Sequence, residues 1–331
     1  MKVLVTGNLP EDITDRIRTD YATRIHDLDR PMGREALLSA MPEVDGLLCM
    51  ITDRIDAELL DRAPRLKIVA NFGVGYNNID VAAATRHGVM VTNTPGVLTD
   101  STADLAMALL LAVGRRIVES DRHTREGRFQ FWAPFHFLGH EVSGTTLGIA
   151  GMGRIGQAVA RRARGFGMRV IYHNRNRLSA DQEGRLEATY AEWPALLAES
   201  DYLSLHVPLT DQTRHFIGPA ELAAMKPSAF LINTARGPVV DEAALVDALR
   251  SGRIAGAGLD VYENEPELTP GLTDLENVVL LPHVGSATVA TRRRMAAMAV
   301  DNLLAGLEGR EPPNWVNAND MTSRPAPGEN T

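Results

Sequence analysis

The 331-residue sequence lacks the features that mark several other classes of protein. It has a single cysteine, Cys49, so no internal disulfide is possible, and its place in the apolar run 44–51 predicts a buried thiol. The net charge of −8 argues against a nucleic-acid-binding surface. No apolar run is long enough to span a membrane and no secretory leader opens the chain, so we expect a cytoplasmic protein.

Aromatic residues are scarce, at 5%, but one segment concentrates them. Residues 127–141 hold four of the eight Phe together with Trp132, and Pro134 prevents a regular element there. So many aromatic residues in a non-periodic stretch predict an ordered loop that packs on another surface. That surface is either a second subunit or a satellite core of the same chain.

The length suggests two domains, and the first hundred residues alternate short strands with helices. This rhythm predicts a parallel sheet with helices on both faces. A strongly apolar helix is expected over 101–126, buried between domains on most of its circumference. A last helix over 287–307 is expected to return to the first domain, and the polar tail from Met321 is expected to be disordered.

A glycine-rich turn at 151–156, with the sequence GMGRIG, lies between a predicted strand and a predicted helix. Gly151 suits the tight turn, Gly153 allows a pyrophosphate to approach the backbone, and Gly156 allows the helix to pack closely on the sheet. A second predicted strand follows within about thirty residues. Strand, glycines, helix and strand together predict dinucleotide binding.

The end of that second strand carries no carboxylate to bind an adenosine ribose. Asn174, Arg175, Asn176 and Arg177 occupy the position instead. Two guanidinium groups there are suited to a 2′-phosphate, so we expect NADP(H) to be preferred, with NAD(H) possible. A solvated surface loop is the alternative interpretation.

Three further predicted strands end on reactive side chains, which are Arg236, Glu265 and His283. Each alone has an ordinary explanation: a helix cap, a solvated carboxylate, a core imidazole. Together they suit hydride transfer to a 2-keto acid. The arginine holds the substrate, the histidine donates a proton to the keto oxygen, and the glutamate orients the imidazole and favours its charged form.

At these motifs the chain resembles the D-isomer-specific 2-hydroxyacid dehydrogenases from Lys2 to about Asn317. The resemblance rests on NFGVGYNNID (71–80), GMGRIG, NTARG (233–237), GLDVYENEP (258–266) and LPHVGSAT (281–288). It implies catalytic roles for Arg236, Glu265 and His283, and substrate binding by Arg236 and the loop Gly73, Val74 and Gly75. It implies that the cofactor contacts are Thr102, Gly151, Gly153, Arg154, Ile155, Gly156, Asn174, Arg175, His206, Val207, Pro208, Thr234, Ala235, Asp260, His283 and Ser286. No metal is expected.

The resemblance also implies a fold of two doubly wound parallel α/β sheets. A Rossmann-type dinucleotide-binding domain, residues 99–286, is inserted into a discontinuous flavodoxin-like substrate-binding domain, residues 1–98 and 287–331. The glyoxylate/hydroxypyruvate reductases share the Trp132 to Gly139 pattern, which implies a homodimer in which Trp132 reaches the partner's substrate site. The expected reaction is therefore reduction of a small 2-keto acid. An NAD-linked D-lactate, phosphoglycerate or phosphite-type dehydrogenase and a nucleotide-sensing corepressor or scaffold remain alternatives.

Overall fold

A computed structural model describes residues 1–28 and 30–322 of the chain. Within this part, none of the helices combines the length and the apolar character that crossing a membrane would require. The chain divides into two compact units. Unit 1 is Met1–Leu98 together with the chain from Thr288 onward, and unit 2 is Thr99–Ala287.

Strands and helices alternate through both units. The strands are β1 (Lys2–Val5), β2 (Ala22–Ile25), β3 (Gly46–Met50), β4 (Ile68–Phe72), β5 (Met90–Thr92), β6 (Thr146–Ala150), β7 (Arg169–His173), β8 (Ala188–Tyr190), β9 (Tyr202–Leu205), β10 (Phe230–Asn233), β11 (Gly256–Leu259) and β12 (Val278–Leu280). The helices are α1 (Glu11–Arg18), α2 (Arg34–Ala40), α3 (Ala57–Asp61), α4 (Val81–Arg86), α5 (Thr99–Gly114), α6 (Ile117–Arg125), α7 (Arg154–Ala163), α8 (Ala180–Leu186), α9 (Trp193–Glu199), α10 (Pro219–Ala224), α11 (Glu242–Arg250), α12 (Val289–Leu307) and α13 (Ala318–Thr322).

Unit 1 is a five-stranded parallel sheet in the order β2-β1-β3-β4-β5. Its central strands are apolar along almost their whole length and are buried on both faces, as parallel strands covered by helices must be. Helix α12 packs on β3 and β4: a Cβ atom placed on Gly46 would lie 3.0 Å from the side chains of Leu303 and Leu307. The carboxyl end of β4 leads directly into the loop Gly73–Gly75.

Unit 2 is a seven-stranded parallel sheet in the order β12-β11-β10-β9-β6-β7-β8, with an apolar core on each face. The chain runs outward from β6 to β8, then returns and runs from β9 to β12 in the other direction. Ligands of doubly wound sheets bind at such a reversal, beyond the carboxyl ends of the strands. The predicted α/β class with two doubly wound parallel sheets is confirmed.

The single helix predicted over 101–126 is wrong, because the chain forms two helices there. Arg116 has a left-handed φ of +54° and its guanidinium binds the Glu119 carboxylate with two hydrogen bonds of 2.8 and 2.5 Å, at the start of α6. Helix α5 buries half of its residues, whereas α6 buries none and leaves Ile117 50% exposed. The burial predicted for the whole of 101–126 therefore holds only for α5.

Helix α8 and the edge strand β8 were not predicted. A local signal was present: Ser179 and Gln182 form a reciprocal capping box at the start of α8. The disorder predicted from Met321 is wrong for its first two residues, since Met321 and Thr322 end α13. Residues 323–331 lie outside the described part of the chain.

Candidate active site

Three neighbouring strands of unit 2 are followed by the residues predicted to carry the chemistry. Strands β10, β11 and β12 are adjacent and parallel. Because parallel strands end at the same edge of a sheet, the segments that follow them lie side by side. Arg236 follows β10, Glu265 follows β11 and His283 follows β12. The sheet order therefore gathers at one edge three residues that are far apart in sequence.

His283 and Glu265 form a hydrogen-bonded pair. His283 Nδ1 lies 2.8 Å from Glu265 Oε2, and the two side chains are 27% and 34% exposed. The other carboxylate oxygen, Oε1, accepts a hydrogen bond from Tyr262 N at 2.9 Å. An ionised carboxylate only accepts hydrogen bonds, so it selects the form of the imidazole that carries a proton on Nδ1. Proton exchange with a ligand is then left to Nε2.

The charges around Glu265 keep it ionised. Burial acts to raise the pKa of Glu265, but the hydrogen bond and charge of His283, the Tyr262 amide and the charge of Arg236 outweigh it. The pKa of Glu265 consequently lies below its ordinary value. Burial lowers the pKa of Arg236, against the opposing charge of Glu265. An arginine remains cationic at neutral pH under such a shift, because its ordinary pKa is above about 12.

The turn that presents Arg236 is shaped by the buried residue Asn233. Asn233 Oδ1 accepts a hydrogen bond from Ala235 N at 3.0 Å, and Asn233 Nδ2 donates one to the carbonyl oxygen of Arg236, also at 3.0 Å. Arg236 Nη1 donates to the carbonyl oxygen of Ala235 at 2.7 Å. Sequence reasoning did not single out Asn233, although an asparagine at a strand end is a common signal of this turn.

Asp260 holds the loop that carries His283. Its carboxylate oxygens accept hydrogen bonds from Val284 N and Gly285 N, each at 2.7 Å, and its backbone oxygen accepts one from His283 N at 2.9 Å. Burial raises the pKa of Asp260, although the two amides act in the opposite direction. His283 itself has a left-handed φ of +54°, which is unfavourable by roughly 1–2 kcal/mol for a residue with a side chain. The Asp260 hydrogen bonds offset this strain.

The glycine turn after β6 has the form that a dinucleotide requires. Gly151 has φ +98°, and a Cβ there would lie 2.7 Å from the backbone of His206; a Cβ on Gly156 would lie 2.3 Å from Gly151 O. Around Gly153, which precedes α7, an added Cβ would meet no atom within 4 Å, so the space before the helix N-terminus is open. Thr234 Oγ1 is buried with no hydrogen-bond partner among the described residues. Open space, unpaired helix amides and an unsatisfied hydroxyl fit a bound pyrophosphate and its nucleotide.

The other residues predicted to contact the cofactor lie mostly on segments that follow the strands of unit 2. They are Thr102 on α5, Arg154 and Ile155 in the first turn of α7, His206, Val207 and Pro208 after β9, Ala235 after β10, Asp260 after β11 and Ser286 after β12. His206 Nε2 lies 2.8 Å from Ser204 Oγ, and burial lowers the pKa of His206 to about 4. Its imidazole is therefore neutral near neutral pH.

The polar residues of the segment after β7 differ in the hydrogen bonds that they make. Asn174 Oδ1 accepts a hydrogen bond from Met152 N at 2.6 Å, which ties the segment to the glycine turn. Arg175 is exposed and makes no hydrogen bond or ion pair with the described residues, whereas Arg177 binds Glu183 at 2.8 and 2.9 Å. The Arg177 hydrogen bonds and a Tyr172 hydroxyl lower the pKa of Glu183 to about 2. One guanidinium rather than two is thus uncommitted.

In unit 1, the loop Gly73–Gly75 follows β4 and turns sharply. Gly73 O and Gly75 O accept hydrogen bonds from Asn71 Nδ2 at 3.3 and 2.9 Å, and Val74 O accepts one from Asn93 Nδ2 at 2.8 Å. Among the described residues, neither Val74 N nor Gly75 N has a hydrogen-bond acceptor. Adjacent unpaired amides of this kind form an anion-binding concavity.

The aromatic segment 127–141 forms neither helix nor strand. Most of its large side chains are exposed, with Trp132 at 77% and Phe135 at 81%. A cavity of about 250 Å³ lies beneath part of the segment and is lined by Phe129, Phe131 and Trp132 together with residues of α6. The satellite-core interpretation is thus wrong for Trp132 and Phe135, whose side chains are not buried in this chain.

Comparisons with known proteins agree with this architecture. A family profile described as "D-isomer specific 2-hydroxyacid dehydrogenase, NAD binding domain" matches residues 107–285. The glyoxylate reductase of Thermococcus litoralis is 52% identical over 328 residues, which cover 98% of this chain and 99% of that protein. The crystal structure of a glyoxylate reductase from Paecilomyes thermophila is 38% identical, with a TM-score of 0.86 and coverage of 96% of this chain and 98% of that one.

A third relative was solved with ligands. The NADPH-dependent glyoxylate/hydroxypyruvate reductase of Sinorhizobium meliloti, in complex with NADP and malonate, is 37% identical, with a TM-score of 0.84 and coverage of 97% of both chains. Family profile, full-length relatives and fold lead to the same assignment. The chain belongs to the D-isomer-specific 2-hydroxyacid dehydrogenases, a family of NAD(P)-dependent oxidoreductases that act on small 2-keto and 2-hydroxy acids.

Proposed function

We propose that this enzyme reduces glyoxylate or hydroxypyruvate to the corresponding D-2-hydroxy acid, with NADPH as the preferred cofactor. His283 is the general acid, Glu265 orients it and Arg236 binds the substrate. The observation that carries the proposal is the 2.8 Å contact between His283 Nδ1 and Glu265 beside the strand that presents Arg236. The glyoxylate reductases among the relatives support the choice of substrate.

The residues of the chain have separate tasks in this reaction. The nicotinamide supplies the hydride when the cofactor is bound. Arg236 attracts the carboxylate and polarises the keto oxygen, where negative charge develops. His283 donates the Nε2 proton to that oxygen, a contribution of roughly 10²–10⁴-fold in comparable enzymes. Glu265 stabilises the protonated imidazole before transfer and holds the ring in one orientation afterwards.

The proposal assigns the substrate carboxylate to the loop Gly73–Gly75 as well. Val74 N and Gly75 N are the two adjacent amides without acceptors among the described residues. Backbone amides bind a carboxylate without adding net charge, so they complement the single positive charge of Arg236. The assignment of unit 1 to substrate binding depends on this loop.

The preference for NADPH depends on the segment after β7. No carboxylate stands there to repel a 2′-phosphate. Arg175 is exposed and uncommitted, while Arg177 is held by Glu183. We therefore assign the 2′-phosphate contact to Arg175, with Asn174 Nδ2 as a donor to the ribose. The remaining predicted cofactor residues keep the roles that the family resemblance implies.

We also propose a homodimer in which Trp132 enters the partner's substrate site. Its support is the exposure of large aromatic side chains along 127–141, an unusual concentration of apolar surface. Light scattering will measure the oligomeric state. Mixing Trp132→Ala with His283→Ala subunits tests whether Trp132 acts on the partner's site or on that of its own subunit. If it acts on the partner's site, activity returns, because one site of each mixed dimer then has both residues intact. No recovery means that Trp132 acts within its own subunit or has no catalytic role.

A substrate panel tests the reaction itself. Glyoxylate, hydroxypyruvate, pyruvate and phosphohydroxypyruvate are compared with NADPH and NADH, and phosphite is compared with NADP and NAD. Faster turnover of the first two with NADPH supports the proposal. His283→Ala should lower kcat by roughly 10²-fold or more while NADPH binding is unchanged. Turnover of phosphite or pyruvate alone, or no turnover of any compound, would refute the assignment.

A further inference from the structure

The carbonyl groups of the Gly73–Gly75 loop are all directed into unit 1. Asn71 Nδ2 donates to Gly73 O at 3.3 Å and to Gly75 O at 2.9 Å, and Asn93 Nδ2 donates to Val74 O at 2.8 Å. Thr94 N adds a hydrogen bond to Gly73 O at 3.0 Å. Two asparagine side chains therefore satisfy three consecutive carbonyl groups.

The direction of these carbonyl groups decides the direction of the amides. In a trans peptide the C=O of one residue and the N–H of the next lie in the same plane and point in opposite directions within it. With Gly73 O and Val74 O directed toward the asparagines, Val74 N–H and Gly75 N–H must point away from them. These are the two amides that lack acceptors among the described residues.

Asn71 is itself fixed in one orientation. Its Oδ1 accepts a hydrogen bond from Asn78 Nδ2 at 3.3 Å, and the Cys49 thiol lies 3.6 Å from the same atom. Burial raises the pKa of Cys49 well above its ordinary value, so the thiol keeps its proton and remains a donor. A flipped Asn71 amide would set its NH₂ group against two donors and its oxygen against two carbonyl groups. The side chain is fully buried, so no water can compensate for such a flip.

Asn93 is held from the other side. Asn302 Nδ2, on α12, donates to Asn93 O at 3.0 Å. Asn302 Oδ1 accepts from Asn314 N at 3.1 Å, which joins the loop to the last segment of unit 1. The geometry points to Asn71 and Asn93 as positioning residues that hold the Val74 and Gly75 amides toward the substrate carboxylate. This inference rests on the proposed function, since it assumes a 2-keto acid as the ligand.

The test replaces the amide donors and measures carboxylate binding. Asn71→Leu is nearly isosteric and removes both hydrogen bonds to the loop, and Asn93→Ala is a second variant at a partly exposed position that is less demanding for folding. We expect the KM for glyoxylate to rise roughly 10- to 100-fold in Asn71→Leu, as for lost hydrogen bonds to a charged group. The value of kcat should fall much less, because His283 and Glu265 lie in unit 2, and the Kd for NADPH should not change.

Asn317→Leu is the matched control. Asn317 is also a buried asparagine of unit 1, and its side chain bonds Val91 N at 2.9 Å and Val89 O at 3.1 Å rather than the loop. It should lower the thermal midpoint as Asn71→Leu does, yet leave the KM for glyoxylate within about twofold. An equal rise in KM in Asn317→Leu would reduce the Asn71 effect to general destabilisation and overturn the inference.

Calorimetric titration of the NADPH-loaded protein with oxamate, a non-reducible 2-keto acid analogue, separates this inference from the proposed function. Wild type that binds oxamate but does not reduce glyoxylate contradicts the function, and weaker oxamate binding by both variants would still support the positioning role. Wild type that reduces glyoxylate, with unchanged oxamate affinity in Asn71→Leu and Asn93→Ala, overturns the positioning role alone. Wild type that does neither overturns both.

Discussion

Replacement of Glu265 by Gln should lower the rate of glyoxylate reduction. Glutamine keeps an acceptor for His283 Nδ1 but removes the negative charge 2.8 Å from it. In the proposed mechanism the His283 imidazole carries the proton that is donated to the keto oxygen. Loss of the carboxylate charge removes the electrostatic stabilisation of that ring, so kcat should fall.

The size of the loss follows from the geometry. Two unit charges about 4 Å apart interact by roughly 1 kcal/mol in water and about 4 kcal/mol at an effective dielectric constant of 20. Because His283 and Glu265 are 27% and 34% exposed, solvent screens the pair and we take about 1–2 kcal/mol. A tenfold change in rate corresponds to about 1.4 kcal/mol, so kcat should fall by roughly five- to thirtyfold.

The assay is the decrease in NADPH absorbance with glyoxylate, recorded as kcat at one fixed pH for both variants and the wild type. Glu263→Gln is the matched control, because Glu263 also pairs with a histidine, His215, at 2.6 Å, and lies two residues from Glu265. Its kcat should match that of the wild type. An unchanged kcat in Glu265→Gln, or an equal fall in Glu263→Gln, would refute the role given to the pair.

Three further outcomes are expected. Arg175→Ala should raise the KM for NADPH about tenfold or more and leave the KM for NADH unchanged. Arg177→Ala should change the NADPH preference much less, because the Arg177 guanidinium is held by Glu183. Equal effects of the two variants would contradict the assignment of the 2′-phosphate to Arg175. His206→Asn should make the free energy of unfolding less sensitive to acid. The pKa of His206 is about 4 in the folded protein and about 6.5 in the unfolded chain, so its contribution to stability is complete above about pH 6.5. Up to about 3 kcal/mol of the wild-type free energy of unfolding is lost as the pH falls toward 4, which urea unfolding at each pH will measure. Gly156→Ala should weaken NADPH binding by at least tenfold in a fluorescence titration, since its Cβ would lie 2.3 Å from Gly151 O. The control variant Gly165→Ala should bind NADPH normally, because a Cβ at that position would meet no atom within 4 Å.

Local patterns in the sequence predicted every strand except β8, most helices and the nucleotide turn, because these depend on residues close together in the chain. The apolar runs of β6 and β9 and the glycine spacing at 151–156 are such patterns. Predictions that were wrong involve contacts between residues that are distant in the chain. The helix predicted over 101–126 breaks at Arg116, where Gly114 packs against the ring of Tyr202, a contact that no local pattern contains.

Only the tertiary structure decided which polar residues are committed to the protein and which remain available. Arg175 and Arg177 are equivalent in the sequence, yet the fold of α8 brings Glu183 to Arg177 alone. Asn71 and Asn93 are ordinary polar residues until the sheet places them beneath one loop. Hydrogen bonds between residues distant in the chain depend on strand order and register, and those are set by the packing of whole elements rather than by neighbouring residues.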